Sequence, residues 1–433
     1  MNKKLPVVNP ELFKGVTPKQ VEPKSYYAYI DTIEVSDGVA NVRFDCLDKK
    51  LLDEVDVSEQ SLLTFPSIIL ELSCPSIHLL KVLEMEKPSS LVRLESDWVI
   101  LFTSLEETEL PVTEFFNFNQ VNNVEGNYYF ISSVIKRNKL DSISTLKIED
   151  LKKKLSLVES DKKQISDFIK EIRSEHISHV NVYDVGQGNC IALVDEQNMP
   201  VLYFDVGGGS GPNAATYPPK FRLCHTHFPP VILSHWDNDH IITAIYDPNL
   251  LNTKWLVPMQ GSLSHTAYRV AYTLKIRGNL VVWNNTIGSE LPMGPHYISK
   301  CFASPRYKNS SGLAIYFYLD AHGYILLPAD ATFKYIPNVS TRKLVGLVAS
   351  HHGSRHSIAG MPKAPEKSML AYSYGLGNTH GHPNPHAVGA YIRKNWTNSL
   401  MTVNGHIAMV HAPHYHAIPC HGRKCSLLTV QNY

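Results

Sequence analysis

The sequence predicts a mixed α/β protein in which a β-rich N-terminal domain and a helical connector precede a larger domain of strands and helices. Three observations support this division. Apolar and aromatic runs separated by turn residues fill residues 1–140, amphipathic helical spacing follows in 141–175, and short Val-, Ile-, Leu- and Tyr-rich runs punctuated by glycine occupy 176–433. A chain of 433 residues is long enough for two or three domains of about 100–200 residues each.

The N-terminal domain is predicted to consist of strands. Residues 26–35 and 39–44 flank Ser36-Asp37-Gly38 and should form a hairpin, because Asp-Gly supplies the backbone conformations of a tight turn. Further apolar runs lie at 67–72, 98–102 and 128–135. This half has no cluster of catalytic residue types, so we expect it to support folding or to bind a protein partner.

The connector is predicted to be helical. Its apolar residues recur at helical spacing among lysines and acids, at Ile148, Leu151, Leu155, Val158, Ile165, Phe168 and Ile172. Ser160-Asp161 followed by Gln164 matches a helix start, so the connector is either one helix or two. A homo-oligomer formed through the connector or the N-terminal half is a further alternative.

Composition indicates a globular protein without an overall affinity for polyanions. Hydrophobic residues make up 43% and charged residues 19% of the chain, and the net charge of +1 means that any nucleic-acid site must be local. No apolar stretch follows the N-terminal lysines, and no run of ~18 apolar residues occurs. The seven cysteines are odd in number and scattered, which argues against a disulfide framework. We therefore expect a cytoplasmic protein without membrane contact.

The densest group of metal-binding residue types is the run 234–240, Ser-His-Trp-Asp-Asn-Asp-His. It directly follows the apolar run 230–233, so its side chains should lie at the end of a buried strand. Asp239 and His240 are adjacent and cannot point the same way, which favours two neighbouring metal ions over one. A polar turn with incidental histidines is the alternative, but no basic residue in this run neutralises its two carboxylates.

Other predicted strands also end in His or Asp. Asp184 and Asp205 each precede a glycine-rich turn, where a carboxylate would orient groups at the end of a sheet. Asp330 follows an apolar strand, where a carboxylate is unfavourable unless it is paired or binds a metal; helix capping is its alternative role. The pair His351-His352 also ends an apolar run, and its members are candidate ligands or proton donors.

Five motifs of this chain resemble, in the same order, those of one branch of the metallo-β-lactamase superfamily. That branch is typified by the cytoplasmic domain of ComEC-type competence DNA-uptake channels. The motifs are Asp-Val-Gly-Gln-Gly (184–188), Ser-His-x-Asp-x-Asp-His (234–240), Leu-Leu-x-x-Asp (326–330), Ser-His-His-Gly-Ser (350–354) and Asn-x-x-Gly-His-Pro (378–383). The resemblance covers roughly residues 178–400 and none of residues 1–170, so the chain looks like a soluble, stand-alone relative.

The resemblance implies a four-layer αββα sandwich with two divalent ions, Zn²⁺ or Mn²⁺, in a cleft at the sheet edges. One ion would be held by His235 and Asp237, and the other by Asp239 and His240. Asp330 would bridge the ions, and other residues would complete the site: His382 as a ligand of the second ion, His352 as a ligand or general acid, and Asp184, Asp205, His351 and Ser310 as supporting residues.

Two departures from the family pattern concern the first ion. Asp237 stands where the superfamily usually has a second histidine, which makes the ligand set harder and more tolerant of Mn²⁺. The superfamily's next histidine falls near Asn309-Ser310-Ser311, where this chain has none. The first ion is therefore expected to be weakly held or absent at rest.

The activity that we expect from this resemblance is phosphodiester hydrolysis. Two ions ~3.5–4 Å apart would activate water and clamp the attacking and leaving oxygens. In this hypothesis Asp239 orients the nucleophile and His352 protonates the leaving oxygen. Nucleic acid is the expected substrate, bound through local basic residues that include Arg306, Lys308 and Arg355, although such residues are also typical of an ordinary solvated surface.

Two other functions stay open on the sequence alone. The first is hydrolysis of a small molecule such as a cyclic nucleotide, lactone or phosphoester, which a narrow, uncharged groove would favour. The second is a degenerate metal-binding sensor or partner-binding protein, for which the missing histidine near Ser310 is the only support. Metal content measured together with turnover separates the sensor from both enzymes.

Overall fold

The structure is a computed structural model that describes residues 24–410 and 414–416, apart from residues 57, 60, 64, 66, 118–127 and 220. Within these ranges the chain forms three β-sheets and eight α-helices, so the predicted mixed α/β class is confirmed. Cys420 and Cys425 lie outside the described residues. No helix in the described part is long and apolar enough to cross a membrane.

The N-terminal region is a closed barrel of six strands. These are β1 (Ser25–Ser36), β2 (Val39–Asp48), β3 (Ser67–Pro75), β4 (Trp98–Ser104), β5 (Pro111–Asn117) and β6 (Tyr128–Ile135). They pair antiparallel in the order β1-β2-β3-β5-β6-β4, and β4 closes the barrel on β1. Closure gives every strand two partners, which removes the free edges that an open sheet would expose.

The predicted hairpin at the start of the barrel is confirmed. Ser36 pairs with Val39, which leaves Asp37 and Gly38 as the two turn residues, with φ angles of 50° and 83°. Positive φ at both positions gives the turn whose twist matches that of paired strands. Three short helices complete the region: α1 (Lys49–Glu54), α2 (Ser76–Val82) and α3 (Pro88–Leu91).

The connector consists of two helices, α4 (Ser142–Lys154) and α5 (Lys162–Glu171). The helix start expected at Asp161 is confirmed, because its side chain accepts from the backbone N–H of Gln164 while the Gln164 side chain accepts from the backbone N–H of Asp161. The other apolar connector residues are buried, but Val158 differs from the prediction and is 82% exposed. It lies between the two helices and not on an apolar helix face.

The remaining chain begins with a mixed sheet. Its first strands are β7 (His179–Val182), β8 (Cys190–Val194), β9 (Pro200–Val206), β10 (Val231–Ile232), β11 (Trp255–Val257) and β12 (Leu280–Val282). Helices α6 (Asn238–Tyr246) and α7 (His265–Ile276) pack on one face, where Ile241 and Leu274 share an apolar cluster with Tyr203. The same cluster includes Tyr27 and Tyr29 of β1, so the barrel packs against this side of the molecule.

A second sheet faces the first. It contains β13 (Glu290–Met293), β14 (His296–Lys300), β15 (Leu313–Leu319), β16 (Gly323–Leu327), β17 (Leu344–Val348), β18 (Met369–Tyr372) and β19 (Asn398–Met401), with α8 (Pro385–Arg393) on its outer face. The chain then returns to the first sheet as β20 (His406–Met409) and β21 (His414–His416). An apolar core between the sheets joins Phe204 and Ile232 of the first to Leu327 and Val348 of the second.

Parallel pairing brings the polar strand ends together. Strand β10 is parallel to β9, and β16, β17 and β18 are parallel to one another. Because the carboxyl ends of parallel strands meet at one edge of a sheet, the residues that follow these strands converge. The histidines and aspartates that the sequence indicated lie at this edge.

Candidate metal centre

Two groups of ligand atoms form the centre. The first group contains Asp239, His240 and His352, and the second contains His235, His240 and Asp330. In each group the nitrogen and carboxylate oxygen atoms lie within 4.8 Å of one another. His240 belongs to both groups, and Oδ1 of Asp330 lies 3.2 Å from Nε2 of His240 and 3.8 Å from Nε2 of His352.

His240 is held by a buried carboxylate near the end of β9. Its Nδ1–H donates to Oδ2 of Asp205 at 2.7 Å, and its Nε2 atom points to Asp330. Asp205 also accepts from Asn189 Nδ2 and from the backbone N–H and hydroxyl of Ser234, at 2.7–2.8 Å. These bonds fix the tautomer and direction of the His240 ring, which is what a carboxylate supporting a metal-binding histidine does.

His352 is oriented by the main chain. Its Nδ1–H donates to the Ser373 carbonyl at 2.8 Å, and its Nε2 atom lies 3.2 Å from Oδ2 of Asp239. The backbone of His351 and His352 has positive φ, 49° and 54°, which is uncommon for residues other than glycine. This tight turn after β17 directs both imidazoles into the centre.

The donor atoms of the first group, Asp239, His240 and His352, fit a divalent cation. The Nε2 atoms of His240 and His352 are buried and make no hydrogen bond within the described residues. Burial works against ionisation of Asp239, but the neighbouring His240 and His352 imidazoles lower the pKa of its carboxyl. Oriented imidazoles and ionised carboxylates are ligands that Zn²⁺ and Mn²⁺ both accept.

The other side of the centre contains a buried lysine. The Nζ ammonium of Lys308 contacts Oδ1 of Asp237, lies 3.1 Å from Oδ1 of Asp31 and donates to the Asp31 carbonyl at 2.7 Å. Burial disfavours its charge, but Asp237 and Asp31 outweigh burial and raise the pKa of Lys308 well above its usual value. His235 completes this side, with Nε2 3.1 Å from Oδ2 of Asp237.

The position of Lys308 differs from the sequence expectation that it contacts substrate on a basic surface. Lys308 is buried, because its partners are the carboxylates of Asp31 and Asp237. Its neighbour Arg306 is exposed and, like Lys308, lines a second cavity. Arg355 is exposed as well, on the segment that follows the histidine pair. Lys308 therefore does not belong to an exposed basic surface with Arg306 and Arg355.

Three histidines surround a carboxylate that comes from the barrel. Glu34 of β1 lies 3.0 Å from His351 Nε2, 2.8 Å from His380 Nδ1 and 3.6 Å from His382 Nε2. Burial opposes the charge of Glu34, but His380, His382 and His351 lower the pKa of its carboxyl well below the usual value. Burial likewise opposes protonation of His351, but Asp330 and Glu34 raise its pKa to about 10.

Three residues predicted for the site lie beside the two ligand groups and not within them. His382 contacts Gln187 through Nδ1 at 3.1 Å, and burial lowers its pKa to about 3. Asp184 accepts from the Gly186 backbone N–H at 3.2 Å and so stabilises its own turn. The Ser310 hydroxyl accepts from the backbone N–H of Thr332 at 3.1 Å.

The barrel closes the cavity over the centre. The cavity has a volume of about 180 Å³. On one side it is lined by Asp239 and Asp330 together with His351, His352, His380 and His382. On the other side it is lined by barrel residues, among them Glu34, Arg43 and Glu95. Ligand pockets are usually ~300–1,000 Å³, so this cavity is smaller than most of them.

The barrel residues at the centre were not indicated by the sequence pattern. Asp31 and Glu34 belong to a predicted strand for which no site was expected. A signal was present for Asp31, because it directly follows the apolar run 26–30 within that strand, where a carboxylate is unfavourable unless it has a partner. Its partner, Lys308, is 277 residues away and is not predictable from local spacing.

No protein-family model matches the chain, and no curated protein matches its sequence. Among solved structures the chain is similar to the metallo-beta-lactamase fold protein YhfI from Bacillus subtilis, with 14% identity and a TM-score of 0.29, over 51% of this chain and 95% of that one. A TM-score of 0.29 is too low to establish a shared fold.

Proposed function

We propose that this chain is a metal-dependent hydrolase whose substrate is a phosphodiester. The observation that carries the proposal is the group of Asp239, His240, His352 and Asp330, in which two buried imidazole nitrogens without hydrogen bonds face two carboxylates. Such a group is unfavourable to bury without a cation between its members. The order of the sequence motifs supports the same conclusion.

The residues around the centre have separate roles. Asp239, His240, His352 and Asp330 would hold the cation, and Asp205 fixes the orientation of the His240 ring. A divalent cation bound there supplies a Lewis acid for a phosphoryl oxygen and lowers the pKa of water. The Nδ1–H of His352 donates to a carbonyl and its Nε2 atom faces Asp239, so we assign His352 as a ligand.

The proton for the leaving oxygen is then assigned to His351. This residue lines the cavity, and its Nε2 atom lies 3.0 Å from Glu34 and 3.4 Å from Asp330. His351 is not part of either ligand group, and the pairing of its Nε2 atom with Glu34 keeps a proton on the ring at the cavity wall. A donor within hydrogen-bond reach of the reacting group is the geometric requirement for general acid catalysis.

The size of the cavity bears on the substrate. Nucleic acid is the class that the motif resemblance favours. Hydrolysis of a small phosphodiester such as a cyclic nucleotide is the second candidate. It is favoured by the small volume of the cavity, about 180 Å³, and by the burial of Lys308, which keeps this residue out of an exposed basic surface with Arg306 and Arg355.

The finer details of family and cofactor belong to the same proposal. We infer a four-layer αββα sandwich of the ComEC-like branch for residues 176–433. Two facing sheets support it, with α6 and α7 packed on the first and α8 on the second. Zn²⁺ and Mn²⁺ are both compatible with the proposed ligands, because two of these ligands are imidazole nitrogens and two are carboxylate oxygens.

The test is a metal-dependent activity screen on the full chain. Chelated protein is reconstituted with Zn²⁺ or Mn²⁺ and assayed on single-stranded DNA, duplex DNA, RNA, a cyclic nucleotide and a generic phosphodiester. We expect turnover only with metal, and a loss of about a thousandfold in Asp330→Asn. The matched control is Asp320→Asn, which should be fully active because Asp320 is an exposed aspartate at the opposite end of β16.

The possible results separate the candidate functions. Cleavage of DNA or RNA supports a nuclease, and cleavage of small esters alone supports the second candidate. Absence of turnover on every substrate, with metal bound, contradicts the proposal and favours a metal-binding sensor. Equal activity of the Asp330 and Asp320 variants places the active site elsewhere.

A further inference from the structure

The two sides of the centre offer different numbers of ligands to an ion. The first side has four, namely Asp239, His240, His352 and one oxygen of Asp330. The Nε2 atom of His240 binds one ion only, so the second side is left with His235, the other oxygen of Asp330 and Asp237. A protein Zn²⁺ site normally has at least three protein ligands, and the second side has three only if Asp237 is available.

Asp237 is already engaged by a cation that belongs to the chain. The Lys308 ammonium contacts its Oδ1 atom, and His235 lies 3.1 Å from its Oδ2 atom. All three side chains are nearly inaccessible to solvent, with residue exposures of 0–3%. A divalent ion bound to Asp237 would lie close to the ammonium, and at this burial solvent does little to screen their repulsion.

The barrel fixes the lysine in this place. Asp31 is fully buried, and its carboxylate oxygen Oδ1 lies 3.1 Å from the Nζ atom of Lys308. The backbone carbonyl of Asp31 also accepts a hydrogen bond from this Nζ atom, at 2.7 Å. Asn238 donates to the other carboxylate oxygen of Asp31 at 3.2 Å, which holds that carboxylate in position. The ammonium therefore has three oxygen partners, two of them from the barrel.

We propose that the centre is built for one divalent cation, and that the ammonium of Lys308 takes the place of the second. Lys308 is then a positioning residue that neutralises Asp237, and the barrel takes part in the centre by supplying Asp31. This inference rests on the proposed metal-dependent function but makes a separate claim, the number of ions. It also accounts for the absence of the family-pattern histidine near Ser310, because an ion that does not bind needs no ligand there.

The experiment counts ions in the full chain and does not depend on activity. Chelated protein is dialysed to equilibrium against Zn²⁺ or Mn²⁺, and bound metal is measured by mass spectrometry. The wild type should bind about one ion per chain, and Lys308→His, which removes the fixed charge and adds an imidazole, should bind about two. Lys343→Gln is the matched control, because Lys343 is exposed, and should bind one.

A second variant covers the case in which the first does not fold. The double variant D31N/K308Q removes both members of the buried pair, frees Asp237 for a metal and should bind two ions. Circular dichroism and thermal unfolding report the fold of each variant. Two ions of comparable affinity in the wild type, or one ion in folded Lys308 variants, overturn the inference and leave the proposed hydrolase intact. No bound ion and no turnover in the wild type overturn both.

Discussion

The two sides of the centre begin in the same seven-residue run, yet they differ in what lies between their ligand atoms. On the first side, Asp239 and His240 face ligands that follow later strands of the second sheet. On the second side, His235 and Asp237 share their space with the ammonium of Lys308. The difference comes from outside the run, since Lys308 follows β14 and is held in place by the barrel. A motif therefore delivers potential ligands, and in our proposal the surrounding fold decides which of them bind a metal.

The largest expected effect distinguishes the two carboxylates of the run. Asp239→Asn should lose bound metal and reduce turnover by about a thousandfold, because it removes a charged ligand from the first side. Asp237→Asn should keep its metal and lose much less turnover, because Asp237 pairs with Lys308. Metal content and kcat of both variants are the measurements. Equal loss of metal in the two variants contradicts the difference between the sides.

The next prediction concerns the contact between the barrel and helix α7. The barrel matters for the second side because its residue Asp31 holds Lys308 there. His265 of α7 contacts the Leu62 carbonyl and lies 3.0 Å from the Ser67 hydroxyl, and burial lowers its pKa to about 4. The unfolded chain binds a proton at this histidine near pH 6.5 and the folded chain does not. Stability is therefore lost as pH falls from about 6.5 to about 4, by up to ~3 kcal/mol.

This loss is measured by denaturant unfolding at several pH values in His265→Gln and the wild type. The variant should show a smaller loss between about pH 6.5 and 4, because glutamine does not titrate there. His176→Gln is the control, since His176 is exposed, and should follow the wild type. An identical pH dependence in all three proteins shows that His265 is not buried in its neutral form.

A smaller effect is expected from the carboxylate behind the first side. Asp205→Asn weakens the bond that directs His240 and should reduce metal affinity by about 10- to 100-fold, without removing a ligand. Equilibrium dialysis measures this affinity, with Asp320→Asn as the control. Unchanged affinity in Asp205→Asn means that the His240 ring is held by other contacts.

The smallest effect is expected at Glu34, the barrel carboxylate that faces His351, His380 and His382. Glu34→Gln removes a negative charge from the cavity, so KM for an anionic phosphodiester should fall by about fivefold, which corresponds to ~1 kcal/mol for one charge pair. Glu54→Gln, at an exposed position of α1, should leave KM unchanged. A higher KM in Glu34→Gln assigns Glu34 to substrate binding and contradicts electrostatic repulsion between the Glu34 carboxylate and the substrate.

The features of the fold and of the centre that were predictable from sequence are those encoded locally. The run 234–240 follows a buried strand, and the capping box at Asp161 and the turn at Asp37-Gly38 each depend on a few adjacent residues. The mixed α/β class follows from the same local periodicities. Each of these features depends on residues that are close together along the chain.

The parts that were not predictable depend on contacts between distant segments. Asp31 meets Lys308 across 277 residues, and Glu34 reaches three histidines that come far later in the sequence. Closure of the barrel likewise depends on β3 pairing with β5 and β4 with β6. Spacing within one strand carries no information on such partners, and a buried charge signals only that a partner exists.

The most direct test of this account is a crystal structure of the Zn²⁺-loaded chain with an anomalous difference map at the zinc absorption edge. We predict one peak per chain, bound by Asp239, His240, His352 and Asp330, with the Lys308 ammonium still on Asp237. Absence of any peak at these residues contradicts the metal centre itself. A peak between His235 and Asp237, with Lys308 displaced, contradicts the one-ion centre.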